Sequence, residues 1–100
     1  MNGQQIMNQV IADSTPELDE LKASMAAVLD GMTAMVPAAR EKGLTDLDIK
    51  AQADMVIRRQ YRKISNNDNN ELGFPVIRNG QTAYMVCNVN AIVNLFNRSF

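Results

Sequence analysis

Apolar residues recur at intervals of three and four along the first two thirds of the chain, which is the spacing of amphipathic helices. Ile6, Met7 and Val10 mark one side of a short first helix. Ser14 or Thr15 then supplies the hydroxyl that can cap a second helix, and the proline and glutamate that follow suit its first turn. The pattern therefore predicts two successive helices at the start of the chain.

The second predicted helix carries a heptad-like stripe whose members alternate in steps of three and four. These residues are Leu18, Leu21, Met25, Val28, Met32 and Met35. Two interpretations stay open: the stripe packs on the rest of the domain, or it is a seam for self-association or a partner helix. Pro37 predicts an interruption of this helix because proline lacks the N–H that a helix interior needs, and Gly43 predicts its final stop.

Two further helices follow from capping signals. Thr45 and Asp48 form a variant of the capping box, which predicts a third helix that runs to about Ile64. Asn88 or Asn90 begins a last helix. The apolar face of that helix comprises Val89, Ile92, Val93 and Phe96.

Between the last two helices, β-prone runs at residues 74–78 and 81–86 flank Asn79-Gly80, a dipeptide typical of tight hairpin turns. The polar run Ser65–Asn70 before them is typical of a loop. The predicted fold class is therefore mainly α with one β-hairpin, in the order α-α-α-β-β-α.

The chain of 100 residues fits one small domain, residues 1–100, with an uneven charge distribution. Residues 1–56 carry four basic and nine acidic side chains, whereas residues 57–100 carry six basic and two acidic ones. We therefore distinguish an acidic helical part with the heptad-like seam, residues 1–43, from a basic helix-hairpin-helix part, residues 44–100. Such asymmetry favours a polyanion as partner for the basic half.

A basic group lies at the end of the third predicted helix. At helical spacing Arg58 and Arg62 share one face, and Arg59 and Lys63 share the adjacent one. The group either binds a phosphate backbone or only complements the helix dipole, and Arg78 at the hairpin tip favours phosphate binding. The candidate nucleic-acid-binding residues are Arg58, Arg59, Arg62, Lys63, Arg78, Asn79, Gly80 and Gln81.

Few residues here suit catalysis or metal binding. The chain has no histidine, one cysteine, Cys87, and no glycine-rich phosphate loop. We predict no catalytic residue, metal ligand or cofactor, and therefore no enzyme. No leader or long apolar run is present, which predicts no membrane association, and the lone cysteine suits a cytoplasmic location.

The segment from residue 71 to residue 97 resembles the wing and closing helix of phage-type winged helix-turn-helix proteins, such as excisionases and the DNA-recognition domains of small terminase subunits. The matching positions are Gly73, Pro75, Val76, Ile77, Tyr84, Ile92, Val93 and Phe96. The resemblance implies a winged-helix-like fold in which the tip Arg78–Gln81 is a wing that touches DNA.

Two functions follow as hypotheses. The first is a small non-enzymatic DNA-binding accessory protein of a phage or mobile element, which binds double-stranded DNA and forms a homodimer through the seam. The second is a small protein-binding inhibitor or adaptor that docks on a larger partner through its methionine-rich helix or its basic surface. The basic half favours DNA, whereas the sequence pI of about 5.2 favours a protein partner.

Overall fold

The computed structural model describes residues 1–60, 62–63 and 71–99, and along the strand segments 62–63, 71–78 and 82–87 it describes the backbone alone. The elements, in chain order, are α1 (Gly3–Val10), α2 (Pro16–Glu41), α3 (Asp46–Arg59), β1 (Arg62–Lys63), β2 (Glu71–Arg78), β3 (Gln81–Asn88) and α4 (Val89–Asn97). The predicted loop Ser65–Asn70 lies outside the described residues.

Polar side chains start three of the helices where local sequence chemistry predicts them. The Thr15 hydroxyl accepts the backbone N–H of Leu18 at 3.1 Å and begins α2. Thr45 and Asp48 bond each other's backbone N–H groups at 3.1 and 3.2 Å, which confirms the capping box of α3. The Asn88 side chain accepts the backbone N–H of Ala91 at 3.2 Å and begins α4. Each cap satisfies a backbone donor that the first helical turn leaves unpaired.

Helix α1 lies unusually close to α2. Its own cap is a reciprocal pair between Asn2 and Gln5. The first residue of the helix, Gly3, rests on the backbone of Ala26, and a Cβ at this position would lie 2.8 Å from the Ala26 Cα. The carboxylate of Asp30 accepts the Gly3 N–H at 2.7 Å. A glycine and a capping carboxylate from the neighbouring helix therefore hold α1 in place.

Helix-on-helix packing builds the core. The buried residues of the main cluster are Ile6, Met7, Leu21, Met25, Leu29, Ala53, Ile57, Val89, Ile92, Val93 and Phe96. All of them belong to the four helices, and the predicted apolar face of α4 is buried as expected. Removing this apolar surface from water is the main favourable term in the stability of the domain.

The predicted fold class, mainly α with one β-hairpin in the order α-α-α-β-β-α, is wrong. The strands are not limited to the two of the predicted hairpin, β2 and β3, which pair antiparallel with Arg78 opposite Gln81. Instead they belong to a three-stranded sheet of order β1-β2-β3, in which Arg62 pairs with Gly73 and Lys63 pairs with Leu72. The winged-helix-like arrangement is withdrawn with this fold class.

The extra strand also corrects the predicted length of the third helix. Helix α3 ends at Arg59, five residues before Ile64, and Gln60 caps it. The next described residues, Arg62 and Lys63, are already strand. Pairing with β2 supplies backbone hydrogen bonds that a further helical turn would otherwise provide, so tertiary context overrides the local helical pattern.

The predicted interruption at Pro37 is wrong as well, because α2 continues through it to Glu41. A proline in a helix interior costs about 3 kcal/mol, so neighbouring contacts must offset it. Val36 is buried, and the Leu44 N–H bonds the Ala39 carbonyl at 3.2 Å beyond the helix end. Gly43 adopts a positive φ of 88° and turns the chain toward α3, which agrees with the predicted stop.

Candidate apolar groove and the predicted basic site

The basic group predicted from the sequence is divided by the fold. Arg58 pairs with Asp54 through a 2.6 Å contact between Nε and Oδ1, and its guanidinium donates to the Asn90 side chain at 2.7 Å. Because Asn90 belongs to α4, Arg58 links two packed helices. This arginine therefore has a structural role in the described part of the chain.

Arg59 differs from its neighbour. It is exposed, and among the described residues it forms no ion pair. Since α3 ends at this residue, Arg59 and Lys63 do not share a helical face, and neither do Arg58 and Arg62. That part of the sequence prediction is wrong because the chain enters β1 before the next helical turn.

The turn between β2 and β3 lies well away from β1. Asn79 and Gly80 are exposed and adopt positive φ angles of 52° and 76°, and Gln81 beside them is also exposed. Arg78 and the partner of Arg62, Gly73, are five residues apart on β2, which is about 17 Å of strand. The backbone therefore spreads the basic positions along the sheet and does not gather them at one point. The side chains of Arg62, Lys63 and Arg78 lie outside the description.

The heptad-like stripe of α2 changes its role along the helix. Leu18, Leu21 and Met25 are buried within the chain, as the internal-packing interpretation expects for this part of the stripe. Val28 and Met32 are half-buried. Met35, at the far end, keeps 69% of its surface exposed. Only the second half of the stripe is accessible to a partner.

This second half borders an apolar groove of about 290 Å³ between α2 and α3. The residues that line the groove are Met32, Met35, Val36, Ala38, Ala39, Lys42, Leu44, Ile49, Gln52, Ala53, Val56 and Phe96. Helix α2 forms one wall, α3 forms the other, and Phe96 of α4 contributes from the core. Met35 stands exposed at the groove, so apolar surface there remains in contact with water.

The charge among the described lining residues is one-sided. Lys42 is the single charged residue among the described lining residues, and none of them is acidic. At the opposite end of α3, Arg59 follows Val56 by one helical turn and so lies next to it along the helix. Asp46 is the first carboxylate of α3, and it pairs with Arg40 at 3.1 Å. Cations therefore mark both ends of the apolar walls.

Sequence patterns identified only part of this groove. The stripe includes Met32 and Met35, but Val36, Ile49 and Val56 are ordinary apolar helix positions in the sequence. Whether such a residue is buried or borders a gap depends on how far α2 and α3 separate beyond their short turn. No local signal in the sequence encodes that separation.

The described residues offer little for metal chemistry. Within them, no three side chains of the His, Cys, Asp and Glu types lie close enough to share a metal ion. In the same part of the chain, none of the helices combines the length and the hydropathy that a membrane span requires. The groove, with its apolar walls and one lysine, is suited to binding rather than to proton transfer.

Comparisons of the chain with protein families, with characterised proteins and with solved structures found no match.

Proposed function

We propose that this chain is a small, non-enzymatic protein-binding module, an adaptor or inhibitor that docks on a larger protein through the groove between α2 and α3. The observation that carries this proposal is the exposure of Met35 beside apolar walls that include Met32 and Val56. Methionine side chains are flexible and polarizable, and protein-binding surfaces use them because they adapt to the partner.

The size of the groove favours side chains of a protein over a separate small ligand. Its volume of about 290 Å³ is at the lower limit of small-molecule sites, which span about 300–1,000 Å³. Two polar side chains, Lys42 and Gln52, are among the described lining residues. A groove of this kind instead suits a few apolar side chains that project from a partner surface.

The test compares two exposed methionines. Met35 is 69% exposed and lines the groove, whereas Met55 is 55% exposed and does not line it. Wild type, Met35→Lys and Met55→Lys are immobilised, and the proteins each retains from host extract are quantified by mass spectrometry. A partner that docks in the groove is retained by wild type and by Met55→Lys. The amount retained by Met35→Lys is lower by about tenfold or more, as expected from the loss of one buried methionine contact.

Retention that is equal in all three proteins, with native circular dichroism of Met35→Lys, would contradict docking through the groove. Met25 is unsuitable for this test because it is only 1% exposed, so a lysine there would unfold the core.

DNA binding is a second candidate function, supported by the exposure of Arg59 and of the turn at Asn79 and Gly80. If this function holds, Arg59→Glu weakens binding to a random duplex and lowers the slope of log affinity against log salt by about one. Arg98→Glu, an equally charged change at an exposed arginine outside the predicted basic site, serves as control. Equal salt slopes for wild type and both variants would refute a DNA contact at Arg59.

A further inference from the structure

The two walls of the groove have the same length. On α2 the lining residues extend from Met32 to Ala39, and on α3 they extend from Ile49 to Val56. Seven residue steps in a helix cover about 10.5 Å, which is two turns. An occupant that fills the groove therefore needs an apolar stripe of about two turns.

Backbone hydrogen bonding distinguishes a helical occupant from an extended one. The walls belong to α2 and α3, whose interior N–H and C=O groups are paired within each helix except where Pro37 lacks an N–H. An extended peptide would find no backbone partners on such walls, and its own polar groups would lose water without compensation. A helix satisfies its backbone internally and can place side chains at i, i+3 or i+4, and i+7 in an apolar groove.

The ends of the groove add a charge requirement. Lys42 is at one end, Arg59 lies one turn beyond the other, and no described lining residue is acidic. A basic occupant would therefore face repulsion, whereas acidic side chains at both ends of its apolar stripe would find complementary charges.

We propose that the groove binds an amphipathic helix of the partner whose two-turn apolar stripe is flanked by acidic side chains. This inference rests on the proposed protein-binding function and specifies the chemistry of the segment recognised. The partner helix packs between α2 and α3, its apolar side chains contact Met32, Met35 and Val56, and its acidic flanks pair with Lys42 and Arg59.

A display library of random 16-residue peptides, selected on the wild-type protein, tests this directly. The expected peptides carry apolar residues at i, i+3 or i+4, and i+7, with Asp or Glu on either side. They bind Met35→Lys about tenfold or more weakly, and Met55→Lys as tightly as wild type. Lys42→Glu weakens them by about twofold to fivefold, the range for one exposed ion pair, and a second selection on Lys42→Glu shifts that flank from acidic to basic residues.

The outcomes separate the two proposals. Selected peptides that depend on Met35 but have neutral or basic flanks would overturn the acidic-helix inference and leave groove binding intact. Peptides that bind wild type and Met35→Lys equally, or a selection that enriches nothing, would overturn both. A wild-type dimer on sizing that Met35→Lys converts to a monomer would show that a second copy of this chain is the occupant, and would also overturn the inference.

Discussion

The close approach of α1 to α2 can be tested by adding a single methyl group. Gly3→Ala places a Cβ in collision with the Ala26 carbonyl oxygen and 2.8 Å from the Ala26 Cα, both of which are backbone atoms that cannot rotate away. Overpacking of this kind costs about 1–3 kcal/mol. Displacing α1 also lengthens the hydrogen bond from the Gly3 N–H to Asp30.

The upper limit of this effect follows from what α1 buries. Ile6 and Met7 are almost fully buried, and each contributes about 1.5–3 kcal/mol on burial, so complete release of α1 would cost about 3–6 kcal/mol. Alanine recovers only about 0.5–1 kcal/mol through its better helix propensity. The net change expected for Gly3→Ala is therefore a loss of about 0.5–2 kcal/mol if α1 shifts, and more if it detaches.

Gly31→Ala is the matched control, because a Cβ at Gly31 in α2 meets no atom within 4 Å. This variant should gain about 0.5–1 kcal/mol from helix propensity alone. Urea denaturation followed by circular dichroism at 222 nm measures both changes. The two identical substitutions should thus have opposite signs. If Gly3→Ala proves as stable as wild type, the packing of α1 on Ala26 has been misassigned.

Three further predictions, which use five substitutions, can be checked by thermal and urea denaturation. Thr45→Ala removes the capping box of α3 and should cost about 1 kcal/mol; no loss would show that the cap is dispensable. Arg58→Ala breaks a link between α3 and α4 and should lower the free energy of unfolding by about 1 kcal/mol. Arg59→Ala should change it by no more than about 0.5 kcal/mol. Equal effects of the two variants would contradict a structural role for Arg58 alone. Met25→Lys should prevent cooperative folding, whereas Met35→Lys should preserve it; a folded Met25→Lys protein would contradict the burial of Met25.

Local chemistry allowed much of the helical framework to be predicted. Thr15, Thr45 and Asn88 each cap a helix because a side-chain oxygen bonds a backbone N–H three residues away, and both groups are visible in the sequence. The apolar face of α4 was equally predictable, because apolar residues spaced by three and four positions lie on one side of a helix and here that side is buried.

Features that depend on distant contacts were not predictable. The end of α3 is decided by the pairing of Arg62 and Lys63 with residues of β2 about ten positions further on, which local helical spacing cannot reveal. The passage of α2 through Pro37 depends in the same way on packing around Val36. The helical faces predicted to be shared by Arg58 with Arg62 and by Arg59 with Lys63 were wrong for this reason, because α3 ends at Arg59.

The groove has a simple physical origin in the unequal lengths of the helices. Helix α2 has 26 residues and is about 39 Å long, whereas α1 with 8 residues and α4 with 9 reach only about 12 and 14 Å. Since α1 contacts α2 near Ala26, it covers the first half of the apolar stripe and leaves the part beyond Leu29 to α3.

Helix α3 covers Met35 incompletely, and 69% of its surface stays exposed. An apolar side chain at this position therefore adds little to the stability of the monomer, and a polar residue would be tolerated equally well. If Met35→Lys leaves the free energy of unfolding within about 0.5 kcal/mol of wild type but abolishes partner binding, the methionine acts in recognition rather than in stability. A loss of 2 kcal/mol or more in the isolated chain would instead make the groove a part of the core.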